Sequence, residues 1–194
     1  MSSEEPKPAE PGITPGYDQA APSTFNEFVG QERLKSRLQL AVEAAKERGE
    51  TVGHILLVGP PGSGKATLAR IVGTCLGVRV KCTNGLTIEA RGDLAGLLTN
   101  LEEGEVLQVE DLHALNRNVA EYLCPPMKDF KMDIIIDQGP NARPVVLNLP
   151  RFTLVATATR NDRIPAALLS SFQPSLDSDV RSAHSRAPSR HCGL

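Results

Sequence analysis

The stretch Ile55-Leu56-Leu57-Val58-Gly59-Pro60-Pro61-Gly62-Ser63-Gly64-Lys65-Ala66-Thr67 decides the fold of this chain. Its first four apolar residues predict a buried strand, and its glycine-rich loop leads to a lysine that begins a helix. A strand, a loop of the form G-x-x-x-x-G-K and a helix together make a phosphate-binding loop. The stretch therefore predicts an α/β domain with a site for a nucleoside triphosphate.

The residue types in the loop suit phosphate binding. Gly59, Gly62 and Gly64 lack a Cβ, so backbone N–H groups beside them, including that of Ser63, can approach phosphate oxygens. Lys65 is predicted to reach the β- and γ-phosphates. The N-terminus of the following helix offers further unpaired N–H donors to the anion.

The position after the lysine departs from the usual pattern. A serine or threonine hydroxyl there binds Mg²⁺, but this chain has Ala66. Thr67 follows it, rotated by about 100° around the helix axis, and is a poor substitute. The sequence therefore favours nucleotide binding over efficient Mg²⁺-dependent hydrolysis.

A second motif, Leu107-Gln108-Val109-Glu110-Asp111, is predicted to be an apolar strand that ends in two carboxylates. It suits an acid that organises Mg²⁺, here Glu110, followed by an acid that activates water, here Asp111. The common order is Asp then Glu, so the second side chain is shorter by one methylene, roughly 1.5 Å. Two solvated acids at a strand end are the alternative interpretation.

Five more residues are candidates for the same site or its surroundings. Thr157 and Thr159 end a predicted strand, where a hydroxyl can contact the γ-phosphate or the attacking water; ordinary strand threonines are the alternative. Phe28 and Val29 can pack against an adenine ring, or are simply apolar. His113 follows the two acids and is predicted to face solvent.

Strands that alternate with helices predict a parallel sheet covered on both faces, with the nucleotide beyond the carboxyl ends of the strands. Two late apolar runs separated by the turn-rich loop 137–141 predict a β-hairpin. The predicted helices are 31–48, 65–76, 93–100, 116–123 and 165–170, and the predicted strands are 55–58, 78–82, 106–109, 132–136, 145–149 and 152–157.

The ends of the chain differ in composition from the middle. Residues 1–23 contain five prolines and a net charge of −3 from four acids and one lysine, which predicts a disordered acidic leader. Residues 173–194 are rich in Ser, Arg, Pro and His and predict a disordered tail, with a nucleic-acid-binding tail as the alternative. The folded domain is expected at 24–172.

The amino-acid composition limits the classes of protein to which this chain can belong. The 194 residues are 40% hydrophobic, which is enough for one core, and the net charge of −2 argues against nucleic-acid binding by bulk charge. The sequence has no run of about 18 apolar residues and no signal peptide, so a cytoplasmic protein without a membrane span is expected. The four cysteines form no C-x-x-C pair and are predicted to be buried or incidental thiols.

Together these motifs resemble the RuvB family of Holliday-junction branch-migration motors, which are AAA+ ATPases. The resemblance covers residues 24–172. Besides the phosphate loop, it is carried by the segments 28–35, 92–95, 98–104, 127–130, 132–134, 138–140 and 149–154.

The resemblance implies the large AAA+ P-loop NTPase subdomain, in which helices sandwich a parallel sheet that carries a β-hairpin. Because the resemblance stops at residue 172, it also predicts that the lid and winged-helix domains are absent here. Such motors use ATP and Mg²⁺, form hexamers of RuvB-like subunits on duplex DNA, and drive four-way junctions with a RuvA-like protein. The family's hairpin docks on that partner, and ordinary core strand is the alternative. The corresponding residues here are Ile134, Ile135, Ile136, Val145, Val146 and Leu147.

Four positions depart from the family's pattern. Its Mg²⁺-binding threonine is Ala66, its Asp-Glu pair is Glu110-Asp111, its paired threonines appear as Thr157-Ala158-Thr159-Arg160, and its arginine finger is Ser171. These departures predict a catalytically impaired ATP- or ADP-binding protein. The end of the resemblance at Phe172 predicts in addition a truncated protein that is monomeric alone and binds DNA weakly. The alternatives are a non-hydrolysing nucleotide-binding or partner-docking module, and a nonfunctional remnant.

Overall fold

The computed structural model describes residues 22–136 and 143–172. Over these ranges it is an α/β structure, as the sequence predicts. The helices are α1 Glu32–Arg48, α2 Lys65–Leu76, α3 Arg91–Thr99, α4 Arg117–Asp129 and α5 Ala166–Leu169, and the strands are β1 Ile55–Val58, β2 Val80–Asn84, β3 Val106–Glu110, β4 Lys131–Ile136, β5 Arg143–Asn148 and β6 Thr153–Ala158.

Four of the strands form a parallel sheet in the order β1-β6-β3-β2. β6 therefore lies between the strand that leads into the phosphate loop and the strand that leads into the two acids. Val58 of β1 is opposite Ala158, and Val109 of β3 is opposite Ala156. Because the strands are parallel, their carboxyl ends meet at one edge of the sheet, which is where a ligand binds in such folds.

Both faces of β1, β3 and β6 are buried, which explains why these strands read as largely apolar runs, whereas the edge strand β2 is half-buried. Leu57 and Val155 point to one face and pack with α1 and α2, whereas Leu56 and Leu154 point to the other and pack with α3 and α4. All six residues of β6 are buried. The predicted arrangement of a parallel sheet sandwiched by helices is confirmed.

The first two helices agree closely with the sequence. α1 buries a stripe that includes Leu34, Leu38 and Val42, at the spacing of one helical face. It ends at Gly49, whose φ of +65° lets its N–H bond back to carbonyls of the last turn. α2 has the predicted bounds and ends at Gly77 in the same conformation.

The prediction for α4 was wrong at its C-terminal end. The helix does not stop at Leu123 but continues through Pro125 and Pro126, which ordinarily disrupt a helix by removing an N–H donor. Pro126 and Met127 are buried in the last turn, so tertiary packing outweighs the local preference. Phe130 then closes the helix with a φ of +51° and an N–H bond to the Pro126 carbonyl.

The predicted hairpin is present as an antiparallel pair, β4 with β5, outside the main sheet. Ile134 and Leu147 pack against the core beside α3 and α4, as the core interpretation expects. Val146 is 59% exposed and Val145 is 36% exposed. The hairpin therefore has one face on the core and an apolar edge in solvent.

Some predictions fall on residues that the structure does not describe. The predicted disorder of 1–21 and of the tail 173–194, the loop 137–141 and the side chains of Ile135 and Ile136 all lie outside the described residues. Among the helices that are described, none is long and apolar enough to span a membrane.

His54 joins the sheet to α4 at the end opposite the phosphate loop. Its Nδ1 accepts the Leu154 N–H at 3.0 Å, and its Nε2 donates to the Met127 carbonyl at 2.8 Å. The ring centroid lies 5.4 Å from that of Phe152. These partners define a neutral imidazole protonated on Nε2, and burial lowers the pKa of His54, although the Met127 carbonyl acts in the opposite direction.

Candidate nucleotide site

The phosphate loop connects β1 to α2 and is fixed at its start. The Gly59 N–H donates to the Ala158 carbonyl of β6 at 3.0 Å. Gly62 and Gly64 have φ values of +74° and +80°, which favour glycine. A Cβ on Gly64 would also lie 2.6 Å from the Phe28 ring. Gly64 is therefore required both by its backbone conformation and by the ring packed on it.

The two residues predicted to pack against adenine have different environments. Phe28 is buried, with its ring against the loop at Gly64. Val29 is 93% exposed beside it. Gln31, which precedes α1, donates from Nε2 to the Ser63 carbonyl of the loop. The structure thus brings Phe28 and Gln31 to the phosphate loop as supports and leaves Val29 accessible to a ligand.

Lys65 begins α2 and is held by the loop's own oxygens. Its Nζ donates to the Gly59 carbonyl at 2.9 Å, to the Pro60 carbonyl at 2.7 Å and to Ser63 Oγ at 3.3 Å. Burial lowers the pKa of Lys65, and the negative charge of Asp111 opposes that shift. An ammonium group placed over the loop in this way is suited to a phosphate, which is a stronger charged acceptor than a carbonyl.

The N-terminus of α2 adds donors to the same place. The first N–H groups of an α-helix have no acceptor within the helix, and here they belong to the first turn, which includes Ala66 and Thr67. Gly64 at the N-cap has no side chain that could accept from them. Open N–H groups, the loop glycines and one buried lysine fit the phosphate groups of a nucleotide.

The two acids lie at the end of β3. Glu110 Oε1 accepts a hydrogen bond from Gln108 Nε2 at 3.0 Å. Asp111 has a φ of +50°, and its Oδ2 lies 3.5 Å from Asn84 Nδ2. Asp111 is near enough to Lys65 for its negative charge to oppose the lowering of the Lys65 pKa by burial.

The residues present fit Mg²⁺ with fewer protein ligands than usual. Mg²⁺ is normally bound by one or two carboxylates plus substrate phosphates and keeps several waters, and Glu110 would supply one carboxylate. Ala66 supplies no ligand atom. Among the described residues, no group of three or more His, Cys, Asp and Glu side chains forms a metal site by itself, so a cation here depends on the oxygens of a bound nucleotide.

The two threonines occupy different positions at the end of β6. Thr157 is buried and lies opposite Leu57 of β1. Thr159 follows the strand, and its Oγ1 lies 3.1 Å from His113 Nε2. The prediction that His113 faces solvent was wrong, because its side chain is only 17% exposed.

His113 turns inward because a short 3₁₀ turn, Leu112–Ala114, follows Asp111. This turn places His113 Nδ1 4.0 Å from Asp111 Oδ1, while Nε2 contacts Thr159. His113 therefore lies between the second acid and Thr159, and it is hydrogen-bonded to the threonine alone, because its Nδ1 has no hydrogen-bond partner among the described residues. In the sequence, the only local indication of this arrangement is that Asp111 and His113 are two residues apart. The third residue, Thr159, follows β6 and is distant in the sequence.

Two positions at the edge of the resemblance, Arg160 and Ser171, have polar contacts close by in the sequence, and Ser171 also contacts Cys124 of α4. Arg160 Nε lies 3.6 Å from Asp162 Oδ1, and both side chains are exposed. Ser171, which the resemblance aligns with an arginine finger, donates from Oγ to the Ala167 carbonyl at 3.1 Å. Ser171 has no charge to present to a neighbouring chain.

Comparison with known proteins gives one consistent result. A family model described as "Holliday junction DNA helicase RuvB P-loop domain" matches residues 20–176. The chain is similar to the Holliday junction branch migration complex subunit RuvB of Rubrobacter xylanophilus, with 46% identity over 182 residues that cover 93% of this chain and 51% of the relative. The corresponding protein of Salinibacter ruber is 48% identical over 151 residues, covering 78% and 44%.

A solved structure, the Thermotoga maritima RuvB Holliday junction branch migration motor, superposes with a TM-score of 0.70 at 40% identity. The match covers 80% of this chain and 47% of that one. This chain thus spans about half the length of the curated relatives that it matches.

Proposed function

This chain belongs to the Holliday junction DNA helicase RuvB P-loop domain family, and we propose from that premise that it binds ATP or ADP and hydrolyses ATP poorly. The observation that carries nucleotide binding is the phosphate loop, with buried Lys65 held over it by three loop oxygens. The proposed setting is the one named for its relatives, the Holliday junction branch migration complex, and a cytoplasmic location is proposed with it.

Impaired hydrolysis is proposed from the residues that the chemistry needs. Ala66 leaves Mg²⁺ without a hydroxyl ligand, and Asp111 is one methylene shorter than the usual glutamate. A misplacement of about 1 Å can cost ~100-fold in rate. An arginine finger contributes about 10³–10⁵ in rate, and Ser171 replaces it. These losses affect the transition state more than the bound nucleotide, so binding is expected to survive better than turnover.

Lys65→Ala is expected to weaken ADP binding by at least about tenfold, because a hydrogen bond to a charged group contributes roughly 1.5–3 kcal/mol. Isothermal titration calorimetry at submillimolar to millimolar ADP measures the effect. Lys46→Ala, which removes an exposed lysine from the last turn of α1, is the matched control and is expected to bind ADP normally. If the unaltered chain binds neither ADP nor ATP at millimolar concentration, the proposed function is wrong.

A second candidate function, docking on a partner, is favoured by the exposed apolar edge of the hairpin at Val145 and Val146. By family, the partner would be a RuvA-like protein, with RuvB-like subunits in a hexamer. This function needs no turnover, so it is compatible with the catalytic departures. The two candidates differ in their use of the hairpin and of the phosphate loop.

The isolated chain is expected to be monomeric and to bind four-way junctions weakly. Clustered Lys and Arg side chains supply most non-specific affinity for DNA, and the net charge here is −2. In the described ranges, the exposed large apolar side chains are scattered, apart from the hairpin pair. Light scattering and electrophoretic mobility shifts test this; a stable hexamer, or ATP-driven junction unwinding, would favour an intact motor instead.

A further inference from the structure

We infer that Gln108 is a positioning residue that holds the carboxylate of Glu110 in place for the divalent cation of a bound nucleotide. The inference rests on the proposed nucleotide binding and adds a residue to that site. Gln108 stands in the middle of β3, where the sequence predicted only an apolar strand, and its side chain is 1% exposed.

Both the nitrogen and the oxygen of the Gln108 amide form hydrogen bonds. Its Nε2 donates to Glu110 Oε1 at 3.0 Å, and its Oε1 accepts from Cys82 Sγ at 3.7 Å. Cys82 lies directly opposite Gln108 in the pairing of β2 with β3, and Gln108 and Glu110 share a face of the strand because they are two residues apart. Cys82 on β2 therefore orients the amide of Gln108, and this amide in turn orients the carboxylate of Glu110.

The state of Cys82 supports this direction of hydrogen bonding. Burial, followed by the negative charge of Glu110, raises the pKa of the Cys82 thiol. At neutral pH the sulfur therefore keeps its proton and donates to Gln108 Oε1. That bond leaves the N–H donors of the amide directed to Glu110, so the amide is oriented by its environment.

A glutamate at this position has particular need of such a bond. Its side chain is one methylene longer than aspartate and has one more rotatable bond, so more rotamers must be excluded before its carboxylate can bind a cation. A carboxylate can accept about four hydrogen bonds, and the bond from Gln108 leaves capacity for a metal ion. Partners that orient a metal-binding side chain commonly change metal affinity by about 10–100-fold.

The test measures ADP affinity by calorimetry with Mg²⁺ and again with a chelator, and takes the ratio as the Mg²⁺-dependent gain. Gln108→Met keeps the length of the side chain but removes the amide. It is expected to lower the gain by about tenfold and to leave the affinity in chelator unchanged. Gln108→Leu is the second variant, should Gln108→Met not fold by circular dichroism.

Thr153→Val is the matched control for the loss of a buried polar contact. Thr153 is fully buried at the other end of the sheet, where its Oγ1 donates to the Val52 carbonyl at 2.6 Å. Its loss is expected to lower stability without changing the Mg²⁺-dependent gain. A purely structural role for Gln108 predicts instead that both variants behave alike.

A double-mutant cycle gives a second measurement. Glu110→Asp shortens the acid and withdraws it from the amide, so adding Gln108→Met in that background is expected to change the gain by less than about twofold. Three results would each overturn the inference: an unchanged Mg²⁺-dependent gain in Gln108→Met, an equal loss of that gain in Thr153→Val, or no such gain in the unaltered chain. In all three cases, ADP binding in the presence of chelator would still support the proposed function. Absence of all ADP binding would refute both.

Discussion

The triple variant Ala66→Thr, Glu110→Asp, Asp111→Glu is expected to hydrolyse ATP at least about 100-fold faster than the unaltered chain, whereas Ala66→Thr alone leaves turnover near background. The three side chains act on one reacting centre, and residues that act as a unit have non-additive effects. Ala66→Thr restores only a cation ligand, while the water-activating acid stays about one methylene short. Phosphate release under saturating ATP and Mg²⁺ measures the difference.

Two further variants control that experiment. Lys65→Ala in the triple background is expected to abolish the gained activity, which excludes a contaminating ATPase. Adding Ser171→Arg is expected to raise the rate of hydrolysis only when chains associate, because an arginine finger acts on the nucleotide of a neighbouring subunit. The rate per chain should then rise with protein concentration. Robust ATPase activity from any single substitution would contradict this account.

His54→Leu is expected to lower the free energy of unfolding by roughly 2–5 kcal/mol. The substitution leaves the Leu154 N–H and the Met127 carbonyl buried without their present partner, and each unsatisfied group costs about 1–3 kcal/mol. Urea denaturation followed by circular dichroism measures the loss. An exposed substitution such as Lys46→Ala is expected to stay within about 0.5 kcal/mol of the unaltered chain.

The same histidine predicts how stability depends on pH. Burial holds the pKa of His54 below its ordinary value of 6.5 in the folded chain, so the unfolded chain binds a proton first as the pH falls. The stability that neutral His54 contributes is complete above pH 6.5. It is lost below that pH by up to about 1.4 kcal/mol per pH unit, until the folded imidazole is protonated.

Denaturation at several pH values between about 7 and 5.5 tests the sign. The unaltered chain is expected to lose more stability over this interval than His54→Leu, which has no imidazole to titrate there. Parallel losses in the two proteins would show that His54 is not responsible for the pH dependence.

The phosphate loop and the elements beside it were predictable because their signals are local. The glycines of the loop, Lys65 at the start of α2 and Gly77 at its end define that helix within the sequence, and the structure has the same bounds. The parallel sheet was likewise predictable from apolar strands alternating with helices. The RuvB resemblance added the hairpin's family role, which stays a proposal.

Other features depend on contacts between distant segments and could not be read from spacing. α4 continues through two prolines because Pro126 is buried in the core. Gln108 was grouped with apolar neighbours, although the thiol opposite it on β2 satisfies its amide. His113 faces inward from its 3₁₀ turn, where its partner is Thr159, which follows another strand. In each case a tertiary partner outweighs a correct local preference.

β6 has a consequence for how this protein can change over evolutionary time. All six of its residues are buried between two neighbouring strands, and both ends carry hydrogen bonds to other segments. Replacement there would damage folding at once. Two of the catalytic departures, Ala66 and Ser171, lie by contrast outside the sheet and are only partly buried. At these two positions enzymatic competence can change without disturbing β6, so a lineage can lose that competence while selection against misfolding preserves β6.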